Sequence, residues 1–250
     1  MGTHTKTITC KGLGKTDIGL VRSNNEDLLM LVPEIDFFAL ADGMGGHKAG
    51  EVASKEAITF ITYAVEEMLL TQETPWSADE MVDHLRVIYE DTNSWVYSLA
   101  RTSSDRKGMG TTLCSLLFYQ GMLFFGNVGD SRIYRLREGT LTQLSFDHSL
   151  HNKLMLEGRE SEIEKNSKNV LTMAIGTSLE IQPQIEVASP LSSDVYLLCS
   201  DGLSDYVQDS SIEEILKGSG DLSAKASSLI EEAKAQGSSD NISVVLVHCI

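Results

Sequence analysis

The stretch ALADGMGGHKAGEVAS, residues 39 to 54, carries four glycines and places Asp42 at the end of an apolar run. Two phosphate-binding readings fail on it. A Walker loop, G-x-x-x-x-G-K-[ST], needs Lys and then Ser or Thr after its last glycine. Gly45 and Gly50 have the spacing, but Glu51 and Val52 follow. The dinucleotide pattern G-x-G-x-x-G fails too, because Lys48 stands where its last glycine belongs. What is left is a strand, FFALA, that stops at Asp42, a turn made tight by glycine, and a helix opening near Glu51.

Outward from this point the same units recur. LLMLV, TLCSLLF, MLFFGNV, VYLLCS and ISVVLV are apolar runs of strand length, most of them bounded by Gly, Asp, Asn or Pro. RIYRLREGTLTQL reads as a hairpin turning at Glu138-Gly139. Between the strand groups lie helical patterns. From Glu51 to Leu70, Ala53, Ala57, Ile61, Ala64 and Met68 share one face. Ser77 and Glu80 make a capping box ahead of a long helix, in which Met81, Leu85, Ile88, Thr92, Trp95 and Leu99 form the expected buried side. Asp221 caps a last helix with Leu222, Ala226, Leu229 and Ala233 in register. Strands joined by hairpins predict antiparallel sheets with helices packed outside rather than a doubly wound parallel sheet, an α+β class. No repeat or low-complexity linker divides the chain, so residues 1–250 are expected to form one domain.

Composition narrows the function. The 250 residues are 42% hydrophobic, enough for a packed core, and carry 20 Lys and Arg against 36 Asp and Glu, a net charge of −16. That balance argues against nucleic-acid binding and against adhesion to anionic membranes. No apolar run reaches transmembrane length and no signal pattern opens the chain, which predicts no membrane insertion. Met1-Gly2 begins like a myristoylation motif, but Lys6 stands where Ser or Thr is required. Cys10, Cys114, Cys199 and Cys249 are widely spaced without a C-x-x-C pair and read as inert, buried thiols of a reducing, cytoplasmic compartment.

The acids carry the chemistry. Asp42 follows FFALA, Asp201 follows VYLLCS and is again followed by glycine, and Asp130 follows FFGNVG. Asp27 precedes LLMLV, and Asp240 precedes NISVVLV. One aspartate at a strand end is a turn former. Five suggest a cluster, because antiparallel strands bring their ends together. Two carboxylates about 4 Å apart repel by roughly 4 kcal/mol at an effective dielectric near 20, so such a cluster needs protons or a cation. All-oxygen ligands suit Mg²⁺ or Mn²⁺, and His148 and His151 lack the partners of a zinc site. Two ions about 3.5–4 Å apart are the usual device for hydrolysis at phosphorus. Arg22, in GLVRSNNED, could hold a phosphate with two parallel hydrogen bonds, or be an ordinary surface arginine.

With these residues in place, TDIGLVRSNNED, ADGMGGHKAGEVAS, GTTL, NVGDSRIYR, DHSL, NVLTMAIG, LLCSDGLSDYV and SSDNISVVLV follow one another in a known order. From about Lys11 to Val247 the chain resembles the bacterial branch of the metal-dependent protein serine/threonine phosphatases, type 2C. The resemblance implies a four-layer α-β-β-α sandwich of two antiparallel sheets with metals at one edge. It implies hydrolysis of phosphoserine and phosphothreonine by a hydroxide bridging two Mn²⁺ or Mg²⁺ ions, without a phosphoenzyme. It makes Asp42 the bridging ligand, with the Gly43 carbonyl beside it. Asp201 and Asp240 complete the first ion's shell, Asp27 acts on the second through water, and Arg22 clamps the phosphate. A third ion would lie at Asp130 and Asp201, with Asp205 in support. Residues 147–175 correspond to the substrate-facing flap, and Gly110-Thr111-Thr112 to support beneath the site. Partners would be phosphorylated proteins, substrates of a serine/threonine kinase or the kinase itself. Two departures stand out. Met44 replaces the DGH histidine of eukaryotic relatives, which leaves His47 or a metal-bound water as the proton donor. Met173 replaces the arginine of LTRALG, removing a flap or substrate contact. Two other readings are a phosphoprotein binder without turnover and a hydrolase of other phosphoesters.

Overall fold

The structure, a computed structural model, describes residues 9–45, 49–164 and 167–250. Strands β1 (Cys10–Asp17), β2 (Asp27–Val32) and β3 (Phe37–Met44) open the chain, followed by helices α1 (Ala49–Thr71) and α2 (Ala78–Leu99). Strands β4 (Gly110–Thr111), β5 (Leu113–Tyr119), β6 (Met122–Val128), β7 (Arg132–Arg137) and β8 (Thr140–Gln143) come next, and then α3 (Leu150–Leu156). The chain closes with β9 (Gln184–Ala188), β10 (Val195–Cys199), α4 (Asp201–Ser204), α5 (Asp209–Lys217), α6 (Leu222–Ala235) and β11 (Ile242–Cys249). One sheet has the order β1-β11-β10-β7-β8, the other β2-β3-β5-β6-β9 with β4 on β3, and every pairing is antiparallel.

The apolar runs are continuous because both faces of each sheet are covered. In β3, Phe37, Ala39 and Ala41 point to α1 and α2, while Phe38 and Leu40 point to the other sheet. In β11, Val244 and Leu246 meet the last helices, and Val245, Val247 and Cys249 fill the space between the sheets. Period-two alternation thus survives as a choice between two apolar layers rather than between core and water. Phe118 links the sheets by edge contacts to Phe38 at 6.3 Å and Tyr196 at 5.7 Å. These layers make the expected α-β-β-α sandwich, with α1 and α2 on one side and α5 and α6 on the other.

Local signals explain the element ends. Ser77 Oγ accepts from Glu80 N while the Glu80 carboxylate accepts from Ser77 N, the reciprocal cap of α2. Asp221 accepts from Ala224 N at the start of α6. Glu138 and Gly139 both take positive φ and join β7 to β8 as a two-residue turn. Gln120 and Gly121 do the same between β5 and β6, a turn the sequence reading did not single out. The buried side of α2 departs from expectation. It passes through Tyr89, Asn93 and Val96 as well as Met81, Leu85, Ile88 and Thr92, leaving Trp95 exposed and Leu99 half-buried. Trp95 instead stacks on Phe60 of α1 and donates to Glu56.

All four cysteines are buried thiols. Cys10 and Cys249 are nevertheless directly opposed in the β1–β11 pair with Sγ atoms 3.6 Å apart, a proximity their spacing along the chain did not suggest. Among the described residues no helix is long and apolar enough to cross a membrane.

Candidate metal centre

A cavity of about 300 Å³ opens at one edge of the sandwich, and its wall includes Arg22, Glu26, Asp42, Gly43, Asp130, Asp201 and Asp240. Both sheets build it. Asp42 ends the apolar part of β3, and Asp130 lies in the crossing from β6 to β7. Asp201 opens α4 directly after β10, while Asp240 stands just before β11. Among the described residues no three acidic or histidine side chains close into a compact ligand set; the carboxylates ring the cavity instead.

Asp42 is fixed through its backbone. Its N–H donates to Thr112 Oγ1 at 2.9 Å, and its carbonyl accepts from Thr112 N at 2.8 Å and Thr111 Oγ1 at 2.9 Å. The Gly110-Thr111-Thr112 segment therefore does hold the strand beneath the site. Gly43 must lack a side chain, since a Cβ would run into the Gly50 carbonyl at the start of α1 and the Glu26 carbonyl. Asn241 ties the other side: it accepts from Glu26 N at 2.9 Å and donates to the carbonyls of Ile18 and Asn24, each at 2.9 Å. The loop carrying Arg22 is thereby held against Asp240, and Arg22 Nη2 lies 2.6 Å from Asp240 Oδ2.

Asp27 is not on the cavity wall. It lies opposite Asp42 in the β2–β3 pair, buried, and its Oδ2 accepts from Ser200 Oγ at 2.8 Å. Glu26, its neighbour, takes the wall position that the sequence reading did not give it. Asp205 lines an adjoining cavity of about 610 Å³ with Arg132, Lys168 and Asp209, sharing only Asn169 with the first. Met44 lines the first cavity, and Met173 packs on the helix-side core. His47 lies outside the described residues. His148 is no ligand candidate: its Nδ1 accepts from Gly129 N at 3.0 Å, steadying the turn that carries Asp130.

Within the expected flap region, α3 and short turns are tied back at both ends. Arg132 grips Asp147 by Nε and Nη2 at 2.7–3.1 Å, and Ile175 exchanges backbone hydrogen bonds with Thr111. Leu171 and Asn169 reach the cavity wall. The stretch from Gly158 to Asn169 is otherwise largely exposed where described.

Electrostatics single out the cavity. Burial pushes Asp42 and Asp201 well above the usual carboxylate range, and the charges of the neighbouring aspartates raise them further. Burial also lifts Asp27 to about 6 and Asp130 to about 7. Asp27 Oδ1 and Asp201 Oδ1 are buried with no hydrogen-bond partner. Stranded carboxylate oxygens and all-oxygen donors fit a hard divalent cation, among the described residues no cysteine or histidine lines the cavity, and the exposed Arg22 is suited to an anion beside it.

The chain is similar to known proteins over nearly all its length. The model of the family described as protein phosphatase 2C matches residues 23–236. The serine/threonine phosphatase stp of Listeria monocytogenes is 38% identical over 241 residues, 93% of each chain. PstP of Mycobacterium tuberculosis is 37% identical over 246 residues, which are 98% of this chain and 46% of that longer protein. The crystal structure of the PstP catalytic domain in complex with two manganese ions aligns with a TM-score of 0.83 at 35% identity, covering 98% of this chain and all of that one. The Streptococcus agalactiae serine/threonine phosphatase aligns with a TM-score of 0.84 at 34% identity, over 96% and 99% of the two chains. Sequence and fold agree over nearly the whole length: the chain belongs to the protein phosphatase 2C family, in its bacterial branch of metal-dependent serine/threonine phosphatases.

Proposed function

We propose that this chain dephosphorylates phosphoserine and phosphothreonine in proteins at the cavity between the sheets, with Mn²⁺ or Mg²⁺ as cofactor. The observation that carries the reading is the convergence of Asp42, Asp130, Asp201 and Asp240 from both sheets on one cavity that also holds Arg22. Two ions there, and a third near Asp130 and Asp201, would supply a water-derived hydroxide bridging the pair and neutralise charge at phosphorus.

The chain's own residues do the rest. Asp42 and the Gly43 carbonyl hold the centre, Asp201 and Asp240 close one side, and Glu26 faces the other. Asp27 sits behind Asp42 and acts by position and charge. Arg22 is placed to take a phosphate: its guanidinium is half exposed, and its present partner, Asp240, would serve a cation held in the cavity instead. Attack in this reading is direct, without a phosphoenzyme; a cysteine nucleophile is ruled out, because each cysteine is buried and none is on the cavity wall. His47 stays a candidate proton donor to the leaving alkoxide. The chain would act on the products of a serine/threonine kinase, or on the kinase itself, in the cytoplasm, as a single domain whose residues 147–175 face the substrate.

The test is release of phosphate from a phosphothreonine peptide with Mn²⁺ or Mg²⁺. Turnover should stop on chelation and fall by at least about a hundredfold in Asp42→Asn and Asp201→Asn, while calorimetry shows weakened Mn²⁺ binding. Undiminished turnover in either variant, or after chelation, would sink the mechanism. Binding of phosphopeptide with no turnover would favour a recognition protein instead.

A further inference from the structure

A cavity separate from the metal cavity and from the one at Asp205, also of about 610 Å³ and the second to adjoin the metal cavity, lies at the exit of α2, lined by Arg101, Ser103, Ser104, Lys107, Gly176 and Thr177 among others. None of these residues lines the metal cavity, and the hydrolytic mechanism uses none of them. The two cavities are nonetheless neighbours. A Cβ on Gly110 would sit 3.0 Å from Met44 Cε, on the metal cavity, and 2.6 Å from Thr177 Cγ2, on the second. Gly110 thus stands between a side chain of one and a side chain of the other.

Two cationic residues and no carboxylate line the second cavity. In a chain of net charge −16, residues 101–107 carry Arg101, Arg106 and Lys107 against Asp105 alone. Among the described residues none of these three cations forms an ion pair. Arg101 is held in place, its Cζ 3.2 Å over the Tyr97 ring and its Nη1 donating to the Tyr97 carbonyl at 3.1 Å. The opposite wall is held as well. Asn93, buried in α2, accepts from Gly176 N at 2.8 Å and donates to the carbonyls of Ser178 and Leu179 at 3.0 and 3.2 Å. Helix α2 therefore positions both walls, one through Asn93 and one through Tyr97.

We propose that this cavity is a subsite for an anionic side chain of the protein substrate, a carboxylate or a second phosphate, flanking the phosphoresidue in the metal cavity. The proposal rests on the phosphatase reading above. An extended peptide advances about 3.3 Å per residue, so crossing one strand and entering the second cavity calls for a spacing of about two to four residues. The surrounding protein repels acidic peptides at long range, and Arg101 and Lys107 supply local attraction at this one spot. The gain belongs to binding, and hence to KM rather than kcat.

Phosphothreonine peptides carrying Glu, phosphoserine, Ala or Lys two to four residues away, on each side in turn, test it. Loss of the phosphothreonine phosphate is followed by mass spectrometry, with p-nitrophenyl phosphate as a substrate that has no flanking residue. The expected KM is roughly two- to fivefold lower for Glu or phosphoserine than for Lys on one side, the range of an exposed charge pair, and the difference shrinks at high salt. Equal gains from Glu and phosphoserine mean that one negative charge suffices; a larger gain from phosphoserine assigns the subsite to phosphate. Arg101→Gln with Lys107→Glu should erase or reverse the preference and leave p-nitrophenyl phosphate turnover and the melting temperature unchanged. Turnover of p-nitrophenyl phosphate with equal KM for all peptides, or a preference that survives the double variant, overturns the subsite alone. Failure on every substrate overturns the phosphatase reading and the subsite with it.

Discussion

At Asp130 burial raises the carboxyl to about 7, with Asp147 and Asp205 adding to the effect and Arg132 opposing it. Burial likewise holds Asp27 at about 6 and pushes Asp42 and Asp201 well up. Their ordinary value, about 3.9, applies in the unfolded chain. Between these limits the folded state binds more protons than the unfolded one, so without metal these groups cost more stability as pH rises from about 4 to about 7. His148 works against them in that window, because burial lowers its pKa and its contribution is lost as pH falls. A bound cation removes the aspartates' cost by favouring their ionised forms. Chelated protein should therefore melt lower at about pH 7.5 than at about pH 5, and Asp130→Asn should raise the melting temperature at the higher pH while changing it little at the lower one. Thermal melts in chelator decide this; an Asp130→Asn variant that is no more stable at the higher pH refutes it. The same residues show where reading the sequence stopped short. A search for acids that abut an apolar run halts at Asp27 and passes over Glu26, which faces the cavity. Asn241 follows Asp240 and looks like half of a turn, yet its three hydrogen bonds hold the Arg22 loop. Neither role leaves a mark in composition or spacing, because each depends on a partner more than two hundred residues away or across a strand pair.

Elements matter here through how closely their ends dock. Helix α4 begins at Asp201, and its second residue, Gly202, lies so near the entrance of β11 that a Cβ would overlap the Asn241 carbonyl. Ser238 Oγ donates to the Gly202 carbonyl at 2.8 Å, closing the contact from the other side. That docking places Asp201 beside Asp240. Gly202→Ala should force α4 away from the strand entrance, at a cost of about 1–3 kcal/mol for overpacking, and weaken Mn²⁺ binding along with stability. Urea denaturation and calorimetry together check it; a variant with wild-type midpoint and wild-type Mn²⁺ affinity would show that the contact is slack. Helix starts and hairpins were legible in the sequence, because Ser77, Glu80, Asp221 and Glu138-Gly139 act on neighbours a few residues away. The face of α2 was legible only over its first half. A chain of three- and four-residue steps puts Trp95 in the core, but Asn93 must reach Gly176 and Val96 must fill the space beside it, so the helix turns Trp95 toward α1.

The whole molecule is two sheets that meet face to face through Phe38, Phe125, Tyr196 and Val247, and that share the acidic cavity at one edge. Glu26 and Asp42 come from the chain of one sheet, Asp201 and Asp240 from the other, and Asp130 from the connection between them. The antiparallel sandwich was foreseeable from hairpins and apolar runs. Which strand ends become neighbours was not, since that follows from a strand order in which the first and last strands, β1 and β11, pair in one sheet while β2 and β3 go to the other. An ion held in this cavity would tie one sheet to the other and bind the folded state only. Mn²⁺ at about a hundred times its dissociation constant should then stabilise the protein by about 2.7 kcal/mol. For a chain of this size that corresponds to a rise of roughly 5–10 °C in melting temperature. The shift should be largely lost in Asp42→Asn and equally in Asp201→Asn, though these residues stand on opposite sheets, and kept in Lys107→Glu, which lies outside the cavity. Scanning calorimetry over a series of Mn²⁺ concentrations measures it. Loss in only one of the two aspartate variants would place the ion on a single sheet, and the ion would then cease to be what joins them.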